Sequence, residues 1–205
     1  MKALVLIDVQ NDFMPGGALA VPEGDEIVPV INKLQQDFEL VIATQDWHPE
    51  GHASFASSHL GKKEFESIKL GKTDQVLWPD HCVQNTKGAE FHTGLETSRI
   101  EAIFRKGTNP EIDSYSGFYD NEHLKSTGLS GYLKEKGATE LYFCGLAAEF
   151  CVYFSIKDAL AEGFSATLIE DATRALDESE FEKARKDILK RNGKILSSGD
   201  LNFKG

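Results

Sequence analysis

Cys151 follows the apolar run Leu141-Tyr142-Phe143-Cys144 by way of Gly145 and a turn of small residues, and a helical pattern begins around it. A thiol in the first turn of a helix meets unpaired backbone N–H groups and the positive end of the helix dipole, which favour the thiolate. The same N–H groups can receive the oxyanion formed when sulfur attacks a carbonyl. Two further residues fit a nucleophile set. Asp8 closes the aliphatic run Ala3 to Ile7 and can take the Cys151 proton and later hand it to a leaving group. Lys106 closes the run Ile100 to Phe104, and its ammonium would hold carboxylate and thiolate together against their mutual repulsion.

A second group has the composition of an open metal site. Asp46 and His48 lie two apart in an extended segment, which points both side chains to the same side. His81, in the island Leu77-Trp78-Pro79-Asp80-His81-Cys82-Val83, can complete a set of one carboxylate and two imidazoles with room for water. Such a set suits zinc, iron or manganese, and its vacant positions mark a catalytic or ligand-binding style. His52 fits either a further ligand or a structural turn, and His59, His92 and His123 read as surface residues.

Continuous aliphatic runs ending in chemistry-bearing residues imply strands buried on both faces. The runs are Ala3 to Ile7, Leu40 to Thr44, Ile100 to Phe104, the strand into Gly145, Ala166 to Ile169, and Lys194 to Leu196. Between them the spacing predicts amphipathic helices carrying Ile27, Val30, Ile31, Leu34 and Phe38, then Leu129, Tyr132 and Leu133. Later helices carry Val152, Ile156, Ala159 and Leu160, then Phe181, Ala184 and Ile188. Ser126 or Thr127 is the expected cap of the second helix, with Gly137 as its stop. Residues 53–99 read as an elaborated loop region with short helices, and Phe13 and Met14 as exposed in their loop. The expectation is an α/β fold, three-layer α/β/α, with a mostly parallel sheet of about six strands and one domain over residues 1–205. Ligands bind outside the carboxyl ends of such strands, so Asp8, Asp46, Lys106 and Cys151 are expected to converge at one edge.

Composition bounds the partners. The hydrophobic share is 40%, the charged share 27%, the net charge −11, and there is no basic tract, which argues against nucleic acid and anionic membrane surfaces. The apolar N-terminal run is broken by Asp8 and is too short for a signal region or a membrane span. Three cysteines cannot all pair, and a reducing cytoplasm is the expected location. Monomer and homo-oligomer both remain open.

Several segments, in this order, resemble the nicotinamidases, the metal-dependent branch of the isochorismatase-like cysteine hydrolases. They are Leu6-Ile7-Asp8-Val9-Gln10-Asn11-Asp12-Phe13, Gln45-Asp46-Trp47-His48-Pro49, Trp78-Pro79-Asp80-His81-Cys82-Val83, Phe104-Arg105-Lys106-Gly107, and Gly145-Leu146-Ala147 with Cys151-Val152. The resemblance implies the isochorismatase-like hydrolase fold and a catalytic triad of Asp8, Lys106 and Cys151. It implies hydrolysis of nicotinamide, and of pyrazinamide, through a cysteine thioester. It also implies one divalent metal ion on Asp46, His48 and His81, zinc first with iron or manganese as alternatives, holding the pyridine nitrogen. A cis peptide at Leu146-Ala147, an oxyanion hole from the N–H groups of Ala147 and Cys151, and pocket residues Phe13, Trp78, Tyr115 and Leu146 complete the expectation. Two alternatives stand beside it: a metal-free amide hydrolase of the same superfamily, which would not need Asp46, His48 and His81 together, and a catalytically silent metal or metabolite sensor.

Overall fold

The computed structural model describes residues 1–201. Eight strands and four α-helices follow in the order β1 (Lys2–Ile7), α1 (Ile27–Leu34), β2 (Leu40–Asp46), β3 (Ser67–Leu70), β4 (Thr73–Val76), β5 (Ile100–Lys106), α2 (Leu129–Glu135), β6 (Glu140–Gly145), α3 (Tyr153–Ala161), β7 (Ser165–Thr173), α4 (Glu178–Lys190) and β8 (Lys194–Leu196). Six strands form one sheet in the order β5-β2-β1-β6-β7-β8. Every pairing in it is parallel. The sheet is therefore wholly parallel, in line with the sequence expectation.

Burial on both faces explains the aliphatic runs. Every residue of β2 and all but the first of β1 are buried. On one face Leu4, Leu6, Val41 and Ala43 pack with Ile27, Ile31 and Leu34 of α1. On the other, Val5, Ile7, Ile42 and Phe143 pack with Leu129 and Leu133 of α2, Ile156 of α3, and Phe181 and Ile188 of α4. Pro29 is the third residue of α1, where its missing N–H has no intrahelical acceptor to lose. The edge strand β5 is different: its burial alternates, and Ile103 is half exposed.

The chain winds outward from β1 through β2 to β5, returns beside β1 as β6, and then winds the other way. The reversal lies between β1 and β6, which is where a doubly wound sheet opens a crevice at its carboxyl edge. Asp8 and the turn after Gly145 both leave the sheet at that point.

Some local expectations differ from the structure. The 53–99 region contains the antiparallel hairpin β3–β4, whose short polar strands give little apolar pattern. Phe13 and Met14 are buried, because their loop folds back under Trp78 and Leu19. The helix after Gly145 does not start at Cys151: a single π-helical turn, Ala148–Val152, comes first, and α3 begins at Tyr153. Gly128, at φ 92°, directly precedes α2; the Thr127 hydroxyl accepts the Leu129 N–H at 3.2 Å and the Ser126 hydroxyl accepts the Gly128 N–H at 3.0 Å. No helix among the described residues is long and apolar enough to cross a membrane.

Candidate active site and metal centre

The carboxyl edge brings together the four residues singled out by their place after strands. Asp46 and Lys106 are register partners at the ends of β2 and β5. Lys106 Nζ lies 2.9 Å from Asp8 Oδ2, and it donates to Asp46 Oδ1 at 2.8 Å, to the Ser114 carbonyl at 2.9 Å and to Cys151 Sγ at 3.3 Å. An ammonium has three hydrogens, and those three donor contacts use them. Asp8 Oδ2 thus feels the charge but receives no aligned hydrogen bond, which leaves a lone pair for a proton from Cys151. The acidic oxygens of Asp8 and Asp46 and the Cys151 sulfur lie within 4.8 Å of one another.

Burial sets the proton inventory. It raises the Asp8 carboxyl, and Lys106 and the Thr44 hydroxyl only partly offset it. Burial also raises Asp46, but there Lys106, then His48 and His81, outweigh it and hold the carboxyl well below its ordinary range. The Lys106 ammonium is opposed by burial but held firmly charged by Asp46, Asp8 and Cys151. Cys151 is pushed well up by burial, with Lys106 acting against it and Asp8 and Asp46 adding to it. The net direction is opposite to the one a helix N-terminus alone would give, and it accords with a thiol that passes its proton to a neighbouring base. Cys151 lies in the π-helical turn ahead of α3, and burial together with the two carboxylates facing the sulfur disfavours its ionisation.

Several neighbours of these groups serve to place them. Asp8 sits at φ 49°; its N–H donates to Thr44 Oγ1 at 3.2 Å, and the Thr44 hydroxyl donates to Asp8 Oδ1 at 2.6 Å. Gln10 clamps Asp46 from both sides, donating to its carbonyl and accepting its N–H, each at 2.8 Å. Asp12 accepts the Cys82 N–H at 2.7 Å, beside His81. Gly107 is at φ 64°, and a Cβ there would meet the His48 ring at 2.4 Å. At Gly145, φ 123°, a Cβ would meet the Ile7 carbonyl oxygen at 2.0 Å, so only glycine lets β6 turn away beside β1. The Leu146-Ala147 peptide is cis.

Asp46, His48 and His81 offer ligand atoms that all lie within 4.8 Å of one another, and all three are buried. His48 Nδ1 faces the Gly107 carbonyl at 3.1 Å and His81 Nδ1 faces the Pro79 carbonyl at 2.8 Å. Carbonyls only accept, so each ring has a proton on Nδ1 and turns Nε2 inward, where a neutral imidazole offers its lone pair. His48 Nε2 is buried without a hydrogen-bond partner. It lies 3.4 Å from Asp46 Oδ1, while His81 Nε2 is 3.6 Å from Asp46 Oδ2. An unpartnered buried imidazole lone pair aimed at a carboxylate fits a divalent cation. His52 behaves otherwise. Its Nδ1 accepts the Ser54 N–H at 3.1 Å, so Nε2–H donates to the Asn109 carbonyl at 2.7 Å, and both nitrogens are engaged. His52 is therefore a structural residue beside the centre.

A cavity opens beside Cys151 and Asp46. Phe13, Trp78 and Tyr115 line it, as the resemblance implies, together with Asp113, Ala147, Phe150 and Leu176. Trp78 and Phe150 meet edge to face at 4.9 Å between centroids. Leu146 does not line it: its side chain is fully buried in the core beside Gly24. Sequence reading missed Phe150, Asp113 and Gln75. Gln75, fully buried on β4, donates to Asp113 Oδ2 at 3.1 Å and to the Tyr115 hydroxyl at 2.9 Å. The one signal for Phe150 was its place beside the nucleophile.

Comparison with known proteins gives concordant results. The isochorismatase domain family model matches residues 2–200. A nicotinamidase of Acinetobacter baylyi is 45% identical over 200 residues, covering 97% of this chain and 94% of the relative. Among solved structures, a nicotinamidase pyrazinamidase of Acinetobacter baumanii superposes with a TM-score of 0.96 at 46% identity, covering 98% of both chains. The PnC1 protein of L. infantum in complex with nicotinate superposes at 0.88 with 38% identity, covering 98% of this chain and 95% of that one. A pyrazinamidase of Pyrococcus horikoshii in complex with zinc superposes at 0.79 with 38% identity, covering 96% and 98%.

Proposed function

The chain belongs to the isochorismatase family, and we propose that it is an amidohydrolase converting nicotinamide to nicotinic acid and ammonia through a thioester on Cys151. The observation that carries this reading is the Lys106 ammonium, within 3.3 Å of Asp8, Asp46 and Cys151 together. It joins a nucleophile, a proton acceptor and a cation-binding carboxylate in one buried network. Nicotinate, the reaction product, is bound by the L. infantum relative.

In the proposed sequence the Cys151 proton passes to Asp8 as sulfur attacks the carboxamide carbon. The oxyanion that forms accepts hydrogen bonds from the backbone N–H groups of Ala147 and Cys151. Asp8 then gives the proton to the departing nitrogen, and ammonia leaves a thioester. Asp8 next takes a proton from water as its oxygen attacks the same carbon. Nicotinic acid departs and the sulfur recovers its proton from Asp8. Throughout, Lys106 stabilises whichever of Asp8 and Cys151 is anionic.

Asp46, His48 and His81 would hold the divalent ion, and zinc is the ion we assign from the mixed carboxylate and imidazole donors and from the zinc in the P. horikoshii relative. A cation there would take the pyridine nitrogen and so orient the ring over Cys151. Phe13, Trp78, Tyr115 and Phe150 form the aromatic walls. Pyrazinamide presents the same carboxamide and ring nitrogen and is the second expected substrate. Residues 1–205 are read as one catalytic domain, of which 202–205 lie outside the described residues. A cytoplasmic place in NAD salvage fits the three unpaired, buried thiols.

The test is ammonia release from nicotinamide by purified protein, with metal content measured on the same sample. The expected outcome is ammonia plus nicotinic acid with about one ion per chain. Cys151→Ala should abolish turnover with metal retained, whereas His48→Ala with His81→Ala should lose metal and turnover together. Turnover surviving in Cys151→Ala would discard the assigned nucleophile, and full activity without bound metal would discard the positioning role of the ion.

A further inference from the structure

Glu149 lies in the π-helical turn two residues before Cys151, and it is buried, with 6% exposure. Its carboxylate is committed to the segment that connects β7 to α4. Oε1 accepts the Asp177 N–H at 2.7 Å and Oε2 accepts the Leu176 N–H at 3.3 Å. Next to it, the Ala148 N–H donates to the Arg174 carbonyl at 2.9 Å. The nucleophile turn and residues 174–177 are thus stitched by three hydrogen bonds. Leu176, within the stitched segment, lines the catalytic cavity in company with Ala147, Phe150 and Cys151.

The chemistry explains the residue type. Two consecutive backbone N–H groups need two acceptors, and a carboxylate supplies both oxygens. A glutamine in the same place would set its NH2 against one of the N–H groups. Charge-assisted bonds of this kind also offset the cost of burying the carboxylate.

We propose that Glu149 is a positioning residue that fixes the Leu176 wall of the substrate cavity in register with the turn carrying Cys151, and so sets how tightly the substrate ring is held. The proposal rests on the reading of this cavity as the nicotinamide site. Glu149 acts through Leu176, so removing either should weaken binding, and removing both should do little more than removing one.

The experiment compares metal-loaded wild type with Glu149→Gln, Leu176→Ala and the double variant, by steady-state ammonia release from nicotinamide. Each single variant is expected to raise KM about tenfold with kcat changed by less than about threefold. The double variant should stay close to the larger single effect. Equal losses in kcat with KM unchanged, or fully additive effects on KM, would overturn the proposal in favour of a merely structural acid. A second readout needs no variant. Hydrogen exchange on wild type should show the Leu176 and Asp177 amides slowed at least about tenfold against an unstructured peptide of the same sequence. Exchange at the unstructured rate would overturn the latch even if Glu149→Gln fails to fold. A wild type that exchanges slowly at those amides but releases no ammonia would instead sink the nicotinamide reading and leave the latch standing.

Discussion

The floor and the wall of the cavity are built on opposite principles. The floor consists of Asp8, Asp46, Lys106 and Cys151, all buried and all delivered by strand ends or by the turn after β6. Its members are placed by the sheet itself, so the distance between Asp46 and Lys106 follows from strand register. The wall consists of Phe13, Trp78, Tyr115, Phe150 and Leu176, which come from loops and a short turn. Each wall residue needs a tether outside the sheet, such as Gln75 for Tyr115 or Glu149 for Leu176. The residues proposed for the chemistry are thus anchored at the ends of buried strands, and those proposed for ring recognition stand on loop segments.

That division makes graded predictions. The largest effect belongs to Lys106→Met, which leaves two buried carboxylates without their cation. Ammonia release should fall by at least about a thousandfold, and a denaturant titration should show about 3–5 kcal/mol lost stability. A loss of activity at unchanged stability would break the idea that the floor is held together by its own charges. A smaller and different response belongs to Phe150→Ala. It removes the ring that meets Trp78 and Tyr115 edge to face, and KM for nicotinamide should rise about tenfold while kcat moves by less than about threefold. If kcat falls as much as KM rises, wall and floor are not separable.

The smallest effect lies outside both regions and supplies the baseline. Glu162, which caps the C-terminal end of α3 and does not line the cavity, accepts hydrogen bonds from the Ser130 and Tyr119 hydroxyls and pairs with Lys134. Lys134, then Tyr119 and Ser130, lower its carboxyl from 4.5 to about 2. A carboxyl depressed in the folded state contributes stability that is present above about 4.5 and disappears as pH falls towards about 2. Glu162→Gln should therefore flatten the decline of the denaturant midpoint between those two pH values and leave ammonia release at neutral pH unchanged. An equal decline in both proteins would remove Glu162 from the acid-sensitive groups.

The same division explains what could be read from the amino-acid order. β1, β2 and β6 are buried on both faces, and such strands must be continuous apolar runs, so their ends and the chemistry placed there were legible. β5 stands at the sheet edge and alternates, but its last residues still announced Lys106. The hairpin β3–β4 was illegible because Ser67 to Val76 carry few apolar side chains and its weight rests on one buried amide, Gln75. Glu149 and Phe150 had no signal beyond their place beside Cys151, because their partners Leu176, Asp177 and Trp78 are distant in the chain. The direction in which the Cys151 thiol is shifted was not legible, because a dipole argument concerns one helix, whereas burial and the carboxylates Asp8 and Asp46, contributed by other strands, act on the sulfur.

The parallel pairing of β1 with β6 has a consequence for how this protein comes into being. The strand that begins at residue 2 has its central neighbour ending at residue 145. A chain leaving the ribosome carries Asp8 well before Cys151, and gains neither that sulfur nor a closed crevice until β6 and the turn after it have emerged. Contacts of such long sequence separation slow folding, and they also make activity an all-or-nothing reporter of it. Any fragment that stops short of β6 holds an unpaired, apolar flank of β1, and the growing chain depends on delayed closure or on cellular holders to keep that flank from finding another strand.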